Sequence, residues 1–176
     1  MNTIGFTNFE YIRKSTNLSD AVSDKYVCVA VKEAQEIQLK QIMGEELYNH
    51  FVDLIGSGDI WDTDYEVELL ENEIQSFLAY QTITNLSVIL SFKYSNIGVN
   101  RTFDTNVDTL GFDDVIKMRN IYQEKADWFG QRIQDNINRH KDYYKEWLKI
   151  VPDTVKPNLN ASDFHNPIWC GGKRGK

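Results

Sequence analysis

The segment from Phe77 to Phe92 narrows the range of folds more than any other part of this 176-residue chain. Drawn as a helix, it places apolar residues on most sides, interleaved with small polar residues such as Thr82 and Ser87. A helix that is apolar nearly all round is surrounded by partners. The run is too short and too polar to span a bilayer, which takes about 20 mostly apolar residues. We therefore predict the central helix of an all-α protein, with sides that can also face neighbouring subunits.

Apolar residues recur at a spacing near 3.6 in four segments, which predicts four helices over about residues 23–43, 45–55, 63–94 and 113–151. Gly44 separates the first two helices. Thr63 and Glu66 have the spacing of a capping box at the start of the third, and Pro152 stops the fourth. The predicted apolar stripe of the first helix includes Ile37, and that of the last includes Met118 and Ile121.

Three segments lack a helical stripe. Residues 1–18 are predicted to be an ordered or half-ordered arm, and residues 95–111 a hairpin or an extended loop, because several residues there favour strands. Residues 152–176 hold all three prolines and a Gly-Gly pair, so we predict an extended tail. The predicted organisation is an N-terminal arm (1–18), a helical domain (19–151) and a C-terminal docking tail (152–176).

The charge is acidic and uneven. Asp and Glu number 26 against 19 Lys and Arg, a net charge of −7 that argues against a protein that coats DNA phosphates. The stretch from Asp59 to Glu73 has seven acids and no base. The two cysteines, Cys28 and Cys170, form neither a disulfide framework nor a zinc motif. Cys28 falls in an apolar helical stripe, where we expect a buried and unreactive thiol.

No motif points to catalysis. The chain has no nucleophile elbow, no paired metal-ligating histidines and no glycine-rich phosphate loop, so we expect no enzyme, no cofactor and no metal. Two alternatives stay open. Glu46 and His50 share a helix face near many acids, which a hard cation could use, although acids at a helix start also complement its dipole. The basic end, residues 173–176, with Trp169 could contact nucleic acid, or simply be solvated.

Two segments are candidates for contacts between molecules. The tail carries Phe164, Ile168 and Trp169 within seven residues that have no helical stripe. Such a segment gains stability by placing its large side chains in a neighbouring molecule. The alternative is that the tail folds back on its own core. The loop at 95–111, with Arg101 and Phe103, suggests the same kind of contact.

Residues 32–48, KEAQEIQLKQIMGEELY, resemble a signature of the head–tail connector adaptors of tailed phages. The segment departs from that signature at Gln41, where the family has proline, which leaves the turn between the helices less fixed. The sequence GVNR at 98–101 and the segments 119–122 and 126–133 resemble the ring proteins of crAss-like phages. Together these similarities span about residues 20–150.

The resemblance implies a four-helix connector-adaptor bundle, assembled as a homo-oligomeric ring of twelve copies in the virion neck and without catalysis. Such a ring is built in the host cytoplasm and lies between the portal protein and tail or further neck proteins. It seals the neck, has no membrane contact and lets DNA pass through its channel. The candidate interface residues are Asn100, Arg101, Phe103, Phe164, Ile168 and Trp169. The candidate channel-facing acids are Asp62, Asp64, Glu66 and Glu68, since a wall that must not grip DNA avoids basic contacts.

The main alternative is a helical regulatory or binding module without catalysis, such as an inhibitor of a host factor. It predicts the same helices, but a monomer or dimer in place of a ring. A metal-using enzyme is a third, weaker interpretation that rests on the acidic stretch alone.

Overall fold

The computed structural model describes residues 5–57, 64–95, 98–101 and 112–148, and these are mostly helical, which confirms the all-α class. One short antiparallel hairpin lies between two of the helices. The elements are α1 (Phe9–Ser15), α2 (Asp24–Glu33), the π-helical segment π1 (Ala34–Leu39), α3 (Lys40–Met43), α4 (Glu45–Ser57), α5 (Asp64–Glu68), the π-helical segment π2 (Leu69–Ile74), α6 (Gln75–Ser91), β1 (Phe92–Ser95), β2 (Gly98–Arg101), α7 (Phe112–Arg139) and α8 (Lys141–Tyr144).

The first long helical rod joins α2, π1 and α3 without a break, because the residues at both junctions keep right-handed helical backbone angles. Gly44 ends the rod with a φ of 81°, which glycine adopts without steric penalty. The next helix, α4, begins at Glu45. The predicted interruption at Gly44 is therefore confirmed.

The segment π1 changes which side chains of this rod face the core. In a π-helix each N–H bonds to the fifth residue before it, so the turn is wider than in an α-helix. Side chains that follow Ala34 are therefore rotated relative to a 3.6-residue pattern. Gln35 and Leu39 are buried while Ile37 is exposed, so the prediction that Ile37 belongs to the buried stripe is wrong.

The second long rod joins α5, π2 and α6, and α6 packs against α1, α2 and α7. This agrees with the predicted central helix. No helix among the described residues is long and apolar enough to cross a membrane. The rod ends at Ser91 rather than near Tyr94, because Phe92–Ser95 form β1 and pair with β2 in the register Phe92↔Arg101. Aromatic and β-branched residues favour such a strand pair. Of the two alternatives predicted for residues 95–111, a hairpin or an extended loop, the structure has a hairpin that begins at Phe92.

The buried side chains form two clusters, one on each side of α6. The larger cluster lies between α4, π2, α6, α7 and α8, with Phe51, Leu69, Leu78 and Ile133 fully buried. The smaller cluster joins α1 and α2 to α6. Its fully buried members are Ile12, Val27, Ala30 and Ala79. Because each fully buried aliphatic side chain contributes about 1.5–3 kcal/mol, both clusters hold α6 in place.

Helix α1 lies within the predicted N-terminal arm and was not predicted. The side chain of Asn8 accepts a hydrogen bond from the backbone N–H of Tyr11 at 2.8 Å and so caps the helix. Ile12 and the preceding Phe6 are buried. Residues 5–18 therefore pack on the helical body, although their apolar spacing is too short to show a periodic stripe.

The last predicted helix is divided in two. Helix α7 ends at Arg139, and His140 has non-helical backbone angles (φ −105°, ψ 29°) before α8 begins at Lys141. The ring of Tyr65 stacks on His140 at 4.2 Å between centroids, and Tyr144 of α8 is fully buried. Tertiary contacts rather than Pro152 thus end α7, so the prediction of one helix to about residue 151 is wrong.

Candidate interaction surfaces

The predicted site residues fall in three parts of the chain. Asn100 and Arg101 are the last two residues of β2. Asp64 and Glu68 are the first and last residues of α5, and Glu68 is exposed. The predicted residues that lie outside the described ones are Asp62, Phe103, Phe164, Ile168 and Trp169.

Glu66 is a buried residue, only 2% exposed. Its Oε1 accepts a hydrogen bond from the Tyr143 hydroxyl at 3.0 Å and lies 2.7 Å from His50 Nε2. A carboxylate held in this way within one chain does not face a channel, so the prediction for Glu66 is wrong. Thr63, its predicted capping-box partner, lies outside the described residues.

An aromatic cluster surrounds Glu66. The His50 ring stacks on Trp147 at 3.8 Å between centroids, and Tyr65 lies edge-on to Tyr143. These contacts fasten α8 and the turn after it to α4 and α5. His50 therefore pairs with Glu66 rather than forming the metal-ligand pair with Glu46 that the sequence left open. Within the described ranges, no group of three or more His, Cys, Asp or Glu side chains could hold a metal ion.

Cys28 is exposed on α2, so the expectation of a buried thiol is wrong. Its neighbours Val27 and Ala30 are fully buried. Cys28 follows Val27 by one position, which is a rotation of about 100° around an α-helix with 3.6 residues per turn. This rotation takes the thiol off the face that packs on α6.

Helix α7 carries an exposed apolar stripe, which we call the α7 stripe: Met118, Ile121 and Trp128. These three side chains are between 48% and 55% exposed. The core face of the same helix is formed by Ala126 and Ile133, which are fully buried. Met118 and Ile121 were predicted in the core stripe, and that prediction is wrong, because their positions lie on the other side of the helix.

Trp128 has two fixed neighbours. Its ring lies edge-on to Phe129 at 4.7 Å, and the guanidinium of Arg132 lies 4.8 Å from its ring centroid. Arg132 in turn donates two hydrogen bonds from Nε and one from Nη2 to the buried carboxylate of Glu73. This contact raises the pKa of Arg132 above its ordinary value. The α7 stripe therefore ends in a tryptophan beside an arginine whose position is held from the core.

A second stripe, the α2 stripe, lies on the first rod and consists of Tyr26, Val29 and Ile37. These side chains are between 40% and 56% exposed. Soluble proteins often expose single large apolar residues, but three on one outer face of one rod form a patch. Helices α2 and α7 both pack against α6, and α3, which continues the α2 rod, also contacts α7.

Further apolar side chains are exposed where the hairpin leaves the helices. The rod of π2 and α6 runs antiparallel to α7, with Glu73 of π2 opposite Arg132 and Gln81 of α6 opposite Gln123. The same register places Val88 of α6 level with Ile116 of α7, and both are exposed. Val88 and Ile116 therefore expose apolar surface near the end of these helices that carries β1 and β2.

Comparison with known proteins identifies one family. A family of unknown function, DUF6712, matches residues 39–151, which is more than half of the chain. The chain belongs to this family. The searches of curated proteins and of solved structures each gave no significant match.

The DUF6712 match begins at the end of π1 and includes α3 to α8. It therefore contains the α7 stripe, the cluster around Glu66 and the pair of Glu73 with Arg132. The α2 stripe, from Tyr26 to Ile37, precedes the matched residues. The match begins at Leu39, further along the same continuous rod. The DUF6712 region thus holds one of the two exposed stripes and the larger core.

Sequence reasoning missed the α7 stripe for a different reason from the one that misplaced Ile37. A 3.6-residue spacing groups apolar residues on a helix but does not say which of two apolar faces is covered. On α7, Met118 and Ile121 follow the same spacing as the buried residues further along. A signal was present in Trp128, because a tryptophan flanked by Asp127 and set among charged residues is unusual on a core face.

Proposed function

We propose that this DUF6712 protein is a structural component of the neck of a tailed phage. Copies of it form a ring between the portal protein and tail or further neck proteins, and the ring seals the neck and lets DNA pass. Its role is assembly rather than catalysis, and it acts in the virion neck after assembly in the host cytoplasm. The resemblance implies twelve copies.

The observation that carries this proposal is the presence of two exposed apolar stripes in one molecule, the α2 stripe and the α7 stripe. A contact between two unlike surfaces is heterologous, and it closes into a ring when its rotation allows. A monomeric module would leave both stripes exposed unless another protein covered them. The stripes therefore favour self-assembly over a monomeric regulatory module.

The resemblance in residues 32–48 supports the same proposal. In the structure this segment forms the last two residues of α2, then π1, α3, the turn at Gly44 and the start of α4. Lys40 and Glu45 form an ion pair of 2.8 Å across the turn. The similar residues therefore make one local motif, two helices joined at a left-handed glycine, despite Gln41 where the signature has proline.

The test is to measure the mass of the full chain under native conditions, alone and after mixing with portal-bearing particles, and to image the particles. The expected result is a ring of defined copy number at the portal. Rings in solution are not required, because the portal can serve as the template. A chain that stays monomeric and never joins portal-bearing particles would contradict the proposal and favour the regulatory module.

Three acids remain candidates for the channel wall: Asp62, Asp64 and Glu68. Glu66 is removed because its carboxylate is bonded inside the chain. If these acids line the channel, replacing each by lysine adds phosphate contacts that hold DNA. We expect slower genome ejection in particles that carry the triple variant. Unchanged ejection from correctly assembled particles would place the acids elsewhere.

A further inference from the structure

The joint between α7 and α8 is a place where the local sequence and the fold favour different backbones. No glycine or proline lies between Gly130 and Pro152, so the local sequence gives a helix no reason to end there. Four apolar positions keep a helical spacing across the joint: Ile133, Ile137, Tyr144 and Leu148. Yet α7 ends at Arg139, and His140 leaves the helical backbone angles. The turn therefore depends on contacts with other parts of the chain.

The turn occurs where the neighbouring rod begins. The rod of α5, π2 and α6 runs antiparallel to α7. Asp64 is the first residue of α5, and Tyr65, the second, stacks on His140. A straight continuation of α7 would therefore run past the beginning of α5. Helix α8 instead turns onto α4, where the ring of Trp147 stacks on that of His50 at 3.8 Å between centroids.

The docked position of α8 is not fully satisfied. The Tyr144 hydroxyl is buried without a hydrogen-bond partner among the described residues. This opposes docking, because water would bond to the hydroxyl in an undocked chain. Burial of the Tyr144 ring, the hydrogen bond from Tyr143 to Glu66 and the stack of Trp147 favour docking. A few tertiary contacts thus act against both the local preference for a straight helix and the lost hydrogen bond.

We propose that residues 140–148 form a latch with two positions. In the docked position, which the structure shows, α8 lies on α4 and α5. In the released position, α7 continues through His140 as one helix and places residue 148 about 12 Å beyond His140. The core between α4, π2, α6 and α7 stays folded in both positions. Residues 152–176 follow the latch along the chain, so the latch sets where the predicted docking tail is attached to the helical body.

Distances between two spin labels on the full chain test the latch without the proposed ring. In a Cys28→Ser, Cys170→Ser background, Glu124→Cys and Lys145→Cys place labels at exposed positions on α7 and directly after α8. These positions are 21 residues apart, which is about 32 Å along a straight helix, and any bend shortens the distance. We expect mainly the short distance in the parent chain. Tyr143→Phe should add a second population near 32 Å, because it removes a docking contact.

Two variants of His140 distinguish release as a helix from a simple loss of contacts. His140→Ala and His140→Gly both remove the ring that stacks on Tyr65. Alanine favours a continuous helix over glycine by about fivefold in population. Combined with Tyr143→Phe, His140→Ala should therefore raise the ratio of released to docked chains about fivefold above that of His140→Gly. Tyr122→Phe is the matched control, since it removes a tyrosine hydroxyl of α7 outside the latch and should leave the distances unchanged.

Tyr144→Phe gives a readout in the opposite direction. It removes the unsatisfied hydroxyl and should lower the released population several-fold. A single short distance in every variant would overturn the latch. Equal released populations in the alanine and glycine variants, or a broad distribution below 32 Å with loss of helical circular dichroism, would overturn the continuous helix. These outcomes leave the proposed ring to its own test, because that test depends on particle images.

Discussion

Tyr143 and Tyr144 are adjacent tyrosines whose hydroxyl groups have opposite surroundings. The Tyr143 hydroxyl donates to Glu66 Oε1 at 3.0 Å. The Tyr144 hydroxyl is buried and has no hydrogen-bond partner among the described residues. Replacing either residue by phenylalanine removes one oxygen atom and keeps the ring. We expect the two substitutions to change the free energy of unfolding in opposite directions.

The magnitudes follow from these surroundings. A buried polar group without a partner costs about 1–3 kcal/mol, and removal of the Tyr144 oxygen leaves a small void that offsets part of that gain. We expect Tyr144→Phe to stabilise the fold by about 1 kcal/mol. Tyr143→Phe loses a hydrogen bond to a carboxylate, which is worth about 1.5–3 kcal/mol. Because His50 still contacts Glu66 in this variant, we expect Tyr143→Phe to lower the free energy of unfolding by about 1–2 kcal/mol.

The stabilisation gained by Tyr144→Phe should grow as the pH rises. Burial raises the pKa of Tyr144 above its ordinary value. The unfolded tyrosine loses its proton near pH 10, while the folded one keeps it. Above that pH the folded state binds more protons than the unfolded state, so stability falls as pH rises. At pH 11 this loss is about 1.4 kcal/mol. The advantage of Tyr144→Phe should therefore rise from about 1 kcal/mol at pH 7 to about 2.4 kcal/mol at pH 11.

Urea unfolding followed by far-ultraviolet circular dichroism at pH 7 and pH 11 measures these differences. The slope of the transition should be the same in both variants and the parent chain, so that a shifted midpoint reports stability alone. Destabilisation by Tyr144→Phe at pH 7 would show that its hydroxyl has a partner. A difference that stays constant between the two pH values would refute the argument from burial.

Three further predictions concern the fold and the tail. Gly44→Ala should lower stability by about 1 kcal/mol in a thermal melt, because a side chain is strained at a φ of 81° although the space around it is open. Arg132→Met should lower the free energy of unfolding by about 2 kcal/mol. This is less than the cost of breaking a fully buried pair, because the Arg132 side chain is 48% exposed. Adding Glu73→Gln should recover part of that loss. Deletion of residues 152–176 should leave the helical circular dichroism and melting temperature unchanged but impair joining to portal-bearing particles; loss of the helical signal would instead assign the tail to the core.

The helical class, the break at Gly44 and the central position of α6 could be predicted because each depends on local chemistry or on a long periodic run. Glycine at a helix end and apolar residues on most sides of one helix need no knowledge of the neighbours. Helix α1 could not be predicted, because seven residues are too few to show a periodic stripe. The end of α7 at Arg139 depends on the contact of His140 with Tyr65, which is distant in sequence.

The π-helical segments explain a different kind of error. A pattern search assumes one period along a helix, and π1 changes that period within it. Val27 and Val31 precede Ala34 and are buried as expected, whereas Ile37 after it points outward. Ile37, an exposed residue of the α2 stripe, was therefore predicted as core. The error arose from backbone geometry and not from the apolar character of the residue.

The acidic stretch shows how burial changes an argument from charge. Seven acids between Asp59 and Glu73 suggest a strongly negative surface. Two of them, Glu66 and Glu73, are buried and bonded to His50 and Arg132, so their charges serve contacts within the chain. Fewer acids of this stretch are thus available to repel DNA from a channel than the sequence suggests. The two buried acids instead hold α8 and position the arginine beside Trp128, which links the acidic stretch to the α7 stripe.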